Sequence, residues 1–150
     1  MGKQKNQTPL VGMERTFRIR ISQREVLSYL SASSDTDPLY SDPLYAALSR
    51  NKMPIVPPIL FMGRIYAALT TLFPGHGTVV LGYTAEFLAP VCYPLTFTLK
   101  LSVLRKYHDK PIYVIGTTLL LNSGTLALSG EASVRYESIL GIEKNDRNQA

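Results

Sequence analysis

The chain has 150 residues, 45% of them hydrophobic and 18% charged, a balance typical of one globular domain and one that excludes an intrinsically disordered chain. Sixteen Lys and Arg against 11 Asp and Glu give a formal charge of +5. These cations are scattered and no zinc-finger, basic-helix or RNA-binding motif accompanies them, so we expect no nucleic-acid partner.

The front of the chain is predicted to hold one strand and two helices, after a flexible N-terminal segment at residues 1–14. Residues 15–21 alternate apolar and basic side chains, which is typical of a half-buried strand. Ser22 and Glu25 match the capping box that begins a helix, and this helix is expected to end within residues 31–35. A second short helix is expected to begin at residues 41–43, because proline is tolerated at the first helical position.

Residues 57–73 are predicted to form a long helix, since their large apolar side chains recur at helical spacing. Arg64 is the only charged residue in this stretch, and the remaining positions are small. A helix that is apolar nearly all round is buried nearly all round, so we expect this helix at the centre of the fold. Residues 74–77 (PGHG) are expected to end it.

The period of the apolar pattern then changes from 3.6 to 2, which predicts a run of strands. The predicted strands cover residues 79–87, 96–103, 112–121 and 125–136, with a hairpin turn at residues 122–124. In the last strand the residues expected to point inward are Leu126, Leu128, Gly130, Ala132, Val134 and Tyr136.

One antiparallel meander curled around a buried helix accommodates every predicted element, and this is the α+β hotdog architecture. The expected organisation is a single domain at residues 15–140 with a polar tail at residues 141–150. Because one sheet leaves the helix partly uncovered, we expect a homodimer or a higher oligomer.

Cysteine content and the N-terminal residues predict a cytoplasmic protein with no membrane partner. Cys92 is the single cysteine, so it has no internal disulfide partner and is interpreted as structural. Residues 1–9 are polar, and no apolar run approaches the ~18 residues of a membrane span. His76 and His108 lie in predicted turns without a partner at ligand spacing, so we expect surface residues and no metal site.

Four segments of the chain resemble the MaoC-like hotdog family, and most closely its (R)-specific enoyl-CoA hydratases. Residues 33–40 (SSDTDPLY) lie where that family carries the hydratase motif S-G-D-x-N-P-hydrophobic-H. Residues 54–60 (PIVPPIL) lie where it has an apolar entry, His-Gly and the buried helix. Residues 81–91 (LGYTAEFLAPV) resemble its strand ending in Phe-x-x-Pro-Val, and residues 128–134 (LSGEASV) resemble its last strand.

This resemblance implies hydration of trans-2-enoyl thioesters, or dehydration of 3-hydroxyacyl thioesters, carried on coenzyme A or acyl carrier protein with no other cofactor. In the family an aspartate and a histidine five positions later activate the water, and the glycine N–H holds the thioester oxygen. Asp35 matches the aspartate, whereas Tyr40 stands in place of the histidine and Asp37 in place of the asparagine. Pro58 replaces the glycine, and Gly63 stands where several members have a serine.

These departures fall on the groups that carry the chemistry. An ordinary tyrosine has a pKa of about 10, so about one in a thousand is ionised at pH 7, and it is a poor base but a good donor. Proline has no N–H, and the loss of one oxyanion donor costs about 10²–10³ in rate. Loss of the base costs a further factor of about 10²–10⁴, so the standard mechanism is not intact.

The catalytic candidates are therefore Asp35, Tyr40 and Asp37. Asp35 and Asp37 are able to share a proton beside an apolar pocket, but for Asp37 we favour a turn in which the carboxylate bonds its own backbone, and for Asp35 a role in the pocket. The candidate substrate-binding residues are Tyr45, Pro58, Ile59, Met62, Gly63 and Tyr83, and the tyrosines among them are also consistent with core or interface positions.

Three functions stay open at this point. The first is a hydratase or dehydratase, a lyase of fatty-acid or polyketide metabolism, with an altered catalytic set. The second is a scaffold repurposed for cyclisation or isomerisation of a polyketide-like or acyl substrate. The third is a catalytically retired subunit that binds an acyl thioester, since a fold does not decide function.

Overall fold

The computed structural model describes residues 8–138, which form an antiparallel sheet and four helices. The predicted tail at residues 141–150 and residues 1–7 of the predicted flexible segment lie outside the described residues. The elements in chain order are β1 (Glu14–Ile21), α1 (Gln23–Ser33), α2 (Pro38–Ser41), α3 (Pro43–Leu48), α4 (Pro58–Thr71), β2 (Thr78–Phe87), β3 (Leu95–Lys106), β4 (Ile112–Leu121) and β5 (Leu126–Tyr136). This arrangement confirms the predicted α+β class.

The five strands of the described sheet lie in the order β1-β3-β4-β5-β2, and every neighbouring pair is antiparallel. The predicted meander is confirmed for β3, β4 and β5. It is wrong for β2, which pairs with β5 and not with the β3 that follows it in sequence. As a result β1 and β2 are the two edge strands of the sheet.

The inner face of the sheet forms most of the core, and the predicted alternation on β3 is confirmed. Phe97, Leu99, Leu101 and Val103 are buried, and the ring of Phe97 meets that of Phe61 edge-on at 5.6 Å. On β5 the predicted inward residues Leu128, Ala132, Val134 and Tyr136 are also buried, whereas Gly130 is half-buried and Leu126 is 37% exposed. Leu126 begins the strand at a register shift against β4, which turns it away from the core.

The capping box predicted at the start of α1 is confirmed in both directions. The Glu25 N–H donates to Ser22 Oγ at 3.4 Å, and the Ser22 N–H donates to Glu25 Oε2 at 2.8 Å. Burial opposes ionisation of Glu25, but the hydrogen bonds from Ser22 and the nearby Arg64 guanidinium lower its pKa. Glu25 Oε1 lies 3.6 Å from Arg64 Nη1, so the cap also ties α1 to α4.

The expectation that the long helix is buried nearly all round is wrong for a single chain. One face of α4, with Phe61, Ile65, Ala68 and Leu69, is buried against the sheet. The opposite stripe is exposed, and Ile59 on it is 55% exposed; the other members of the stripe are Gly63, Ala67 and Thr71. These four residues are spaced by four, so they lie in one row along the side that the sheet does not cover.

Gly130 on β5 lies where an added methyl group meets the neighbouring strand. A Cβ there would be 2.5 Å from the Thr84 carbonyl oxygen and 2.9 Å from the Tyr83 phenol oxygen. We therefore expect Gly130→Ala to lower the free energy of unfolding by about 1–3 kcal/mol, measured by urea denaturation. Gly82→Ala on β2 is the matched control, because a Cβ there meets nothing within 4 Å. Equal midpoints for the two variants would contradict the prediction.

Candidate active site

The segment from the end of α1 through the first three residues of α2, called here the site loop (residues 34–40), holds all three catalytic candidates. The Asp35 carboxylate accepts the Asp37 N–H at 3.1 Å, and the Asp37 carboxylate accepts the Leu39 N–H at 2.9 Å. Asp37 thereby caps α2, a helix that the sequence analysis did not predict. The turn alternative for Asp37 is therefore observed, and Asp35 bonds the same turn while its side chain stays half-buried.

Tyr40 ends the site loop and packs partly against the core. Burial raises the pKa of the Tyr40 phenol, and the negative charges of Asp35 and Asp37 together with Tyr29 raise it further. A tyrosine whose pKa lies above its ordinary value stays protonated at neutral pH. The phenol beside these two carboxylates is accordingly a hydrogen-bond and proton donor rather than a base.

The site loop is anchored by its backbone. The Tyr93 hydroxyl donates to the Tyr40 carbonyl oxygen, and the Ile55 N–H donates to the Leu39 carbonyl oxygen at 3.3 Å. Val56 N–H in turn donates to Val91 O at 2.8 Å. These bonds hold the loop to the segment that leads into α4 and to the segment that follows β2.

Pro58 is the first residue of α4, and Pro57 stands at the cap position without a side-chain capping bond. Proline lacks an N–H, and the Leu60 N–H is already bonded to Pro57 O at 2.9 Å. Within residues 8–138 the Ile59 N–H has no hydrogen-bond partner. The first free donor of this helix is therefore one residue later than the position that Pro58 occupies.

An apolar cavity of about 230 Å³ opens beside the start of α4. It joins the two segments that the sequence analysis singled out separately, the apolar entry and the Phe-x-x-Pro-Val strand end. Its walls include Val56, Pro58, Phe61, Phe87, Pro90 and Val91. Phe61 was not predicted as a binding residue, because an apolar residue at helical spacing indicates only a core position.

Tyr83 on β2 is seated on the inner face of the sheet. Its hydroxyl and Thr117 Oγ1 share a hydrogen bond of 2.7 Å, and its ring meets Tyr66 of α4 edge-on at 5.8 Å. Burial raises the pKa of Tyr83, the bond to Thr117 acts against this, and Tyr66 adds to it. Thr117 is fully buried and was also missed, because a single hydroxyl in an apolar strand carries no pattern of its own.

The remaining predicted binding residues lie in two places. Ile59, Met62 and Gly63 lie on the less buried side of α4, and Tyr45 lies on α3 with 51% of its surface exposed. Across residues 8–138 no side-chain hydrogen bond joins the site loop to the predicted binding residues of α4 or β2. Their roles stay predictions.

The two histidines lie away from this arrangement, whereas Cys92 pairs with Ile55 in an isolated β-bridge at its edge. His76 and His108 are exposed, as predicted. Cys92 is half-buried with Sγ 3.8 Å from the Met53 carbonyl oxygen, and burial raises the pKa of its thiol. In the described residues no three His, Cys, Asp or Glu side chains come together, and no helix has the length and apolar character needed to cross a bilayer.

Comparison with known proteins shows clear relatives, although no protein-family model matches the chain. The (R)-specific enoyl-CoA hydratase of Aeromonas caviae is 32% identical over 125 residues, which cover 83% of this chain and 93% of the relative. A second (R)-specific enoyl-CoA hydratase, from Rhodospirillum rubrum, is 28% identical over 123 residues, which cover 82% of this chain and 85% of that relative.

Solved structures show the same fold. The structure of the A. caviae (R)-hydratase superposes with a TM-score of 0.83 at 31% identity, covering 87% of this chain and 99% of the other. A MaoC-like dehydratase from R. rubrum superposes with a TM-score of 0.72 at 16% identity, covering 87% and 94%. At that identity the second comparison supports the fold alone, and the hotdog prediction is confirmed by both.

Proposed function

The chain belongs to the MaoC-like hotdog family, together with the (R)-specific enoyl-CoA hydratases, and on that premise we propose that it hydrates an enoyl thioester or dehydrates a 3-hydroxyacyl thioester with an altered catalytic set. The observation that supports this is the site loop, which holds the half-buried carboxylate of Asp35 and the Tyr40 phenol, whose pKa is raised by burial and then by the charges of Asp35 and Asp37. The acyl group is carried on coenzyme A or on the phosphopantetheine of a carrier protein, and no other cofactor is needed.

In the proposed hydration Asp35 is the base and Tyr40 the acid. The Asp35 carboxylate takes a proton from water while the water oxygen bonds to C3 of the enoyl group. The Tyr40 phenol gives its proton to C2, so the double bond is lost and one water molecule is added. Transfer of the proton from Asp35 to the phenolate then restores both groups, and dehydration follows the same steps in reverse.

The thioester oxygen gains negative charge during this reaction and needs a hydrogen-bond donor. Pro58 has none, so we assign this role to the free N–H of Ile59, which the α4 dipole favours. A donor displaced by one residue fits the oxygen less well. We therefore expect turnover below that of a hydratase that has the usual histidine and glycine.

The acyl chain is proposed to enter the apolar cavity beside Pro58. A volume of about 230 Å³ has room for about seven water-sized groups, which suits a short acyl chain. Met62, Gly63 and Tyr83 are proposed to line the path of a longer chain along α4, with Tyr45 at the entrance.

A homodimer is proposed to cover the exposed stripe of α4. Beside α4 lies the edge strand β2, where Val79 is 46% and Leu81 52% exposed. A free strand edge next to an apolar helix face is a surface that a second copy of the chain covers by continuing the sheet. This proposal makes the uncovered side of α4 an interface.

The acid role of Tyr40 predicts both a mutant effect and a pH profile with crotonyl-CoA, followed by the loss of absorbance of the conjugated thioester. Tyr40→Phe is expected to lower kcat by about 10²-fold, the typical contribution of a general acid. Because the donor is lost only above its raised pKa, wild-type activity should hold through neutral pH and fall only at a pH above the ordinary titration range of tyrosine.

Tyr107→Phe is the matched control for this experiment, since Tyr107 is 54% exposed in the turn after β3. It should leave both the rate and the profile unchanged. An unchanged rate for Tyr40→Phe would remove Tyr40 from the mechanism.

Isomerisation or cyclisation of an acyl or polyketide-like chain is a second candidate function. It is favoured by the protonated Tyr40 and by Pro58, since such reactions need a shaped pocket and a donor more than they need the standard base. Absence of hydration of any enoyl thioester, with intact binding of acyl thioesters, would favour it. A complex with a homologous active subunit in native mass spectrometry would instead support a catalytically retired chain.

A further inference from the structure

The α3 surface, defined as Leu44, Leu48, Arg50, Lys52 and Met53, presents apolar side chains to solvent. Leu44 and Leu48 stand one turn apart and are 83% and 85% exposed, and Met53 is 51% exposed. Ala46 is the buried residue of this helix. The outward leucines therefore contribute little to the core of the described chain.

The same surface is positively charged. Arg50 is exposed and makes no ion pair or hydrogen bond within the described residues 8–138, while Lys52 Nζ lies 3.5 Å from the Ala47 carbonyl oxygen. Asp42 is the acidic residue of the segment 42–53. Its carboxylate caps α3 and accepts the Leu44 N–H at 2.8 Å. Two cations consequently flank the exposed leucines without a facing carboxylate from this segment.

The α3 surface also adjoins the site loop. The last three residues of the loop belong to α2, and the N–H of Asp42, the residue before α3, donates to Pro38 O at 2.8 Å. A partner seated on α3 is thus placed beside the Tyr40 end of the loop.

We propose that the α3 surface docks an acidic acyl carrier protein, whose phosphopantetheine arm then delivers the thioester to the site loop. This inference rests on the proposed function. The exposed leucines are complemented by apolar side chains on a helix of the carrier protein, and Arg50 and Lys52 by its carboxylates. The phosphates of coenzyme A complement the two cations but offer no apolar surface to the leucines. A symmetric contact with a second copy would bring two copies of the same positively charged patch together, which electrostatics disfavours.

The test measures binding of a bacterial holo acyl carrier protein and of crotonyl-CoA by calorimetry, with the full chain. Arg50→Glu and Leu48→Ser should each weaken carrier-protein binding by roughly tenfold or more and leave crotonyl-CoA binding within about twofold. The matched controls are Lys110→Glu and Leu104→Ser, whose exposed side chains lie elsewhere, at and before the turn between β3 and β4. Both controls should bind the carrier protein like the wild type.

Three results would overturn the inference. These are no binding of the carrier protein to the wild type, equal losses for carrier protein and crotonyl-CoA, or variants that change the oligomeric state while carrier binding is kept. The proposed function is judged separately by turnover of crotonyl-CoA and of the crotonyl-loaded carrier protein. A chain that binds the carrier through α3 but turns over neither thioester would keep this inference and contradict the hydratase.

Discussion

Tyr40→His combined with Pro58→Gly is expected to raise the rate of crotonyl-CoA hydration by about 10²–10³-fold over the wild type. The histidine supplies a base with a pKa near neutral, and the glycine returns an N–H at the first position of α4. A single oxyanion donor is typically worth about 10²–10³ in rate, and a positioned base about 10²–10⁴. Initial rates at pH 7 and pH 8 measure the gain.

The single variants separate the two contributions. Pro58→Gly alone should raise the rate if the Ile59 N–H is a poorer donor, and Tyr40→His alone should shift the acidic limb of the pH profile toward the histidine pKa. The same substitutions in a chain that also carries Asp35→Asn should give no gain. No gain in hydration rate for the double variant would contradict the view that only the base and the oxyanion donor are missing. It would indicate a pocket remodelled for another reaction.

Leu81→Asp on β2 is expected to raise the dissociation constant of the proposed homodimer by about 10²–10³-fold. The substitution places an unpaired carboxylate in an apolar interface, and burying such a charge costs several kcal/mol. Sedimentation velocity across a concentration series measures the shift. Because Leu81 is 52% exposed in the single chain, the folded monomer should survive the change.

Val11→Asp is the matched control for this variant, as Val11 is equally apolar, 60% exposed and lies before β1. It should keep the wild-type oligomeric state. A wild type that sediments as a monomer, or a Leu81→Asp variant that keeps the dimer, would refute the proposed interface.

Local patterns were sufficient for most of the elements. The alternation on β3 predicted its buried face, and the spacing of Ser22 and Glu25 predicted the start of α1, because both depend on neighbours within a few residues. The place of β2 at the sheet edge was not predictable in this way, since pairing with β5 joins residues about fifty positions apart in the chain. The burial of α4 was overestimated because apolar and small residues around a helix do not tell which of its faces the sheet covers.

The site was predictable to a similar extent. The spacing from Asp35 to Tyr40 located the site loop, and after burial the charges of the two carboxylates do raise the pKa of the phenol. The cavity beside Pro58 is formed by chain segments that meet only after folding, so no sequence motif predicted that Phe61 lines it. Thr117 was hidden for the same reason, because its partner Tyr83 lies on a strand 34 positions away.

The hydrogen bond between Tyr93 and the backbone of Tyr40 does not depend on which side chain stands at position 40. The Tyr93 hydroxyl bonds the carbonyl oxygen of residue 40, an atom that every amino acid possesses. A change of side chain at this position therefore leaves the attachment of the loop in place, whether the residue is a phenol or an imidazole. Such a site allows one scaffold to exchange its acid–base group by a single codon change, without first rebuilding the surrounding fold.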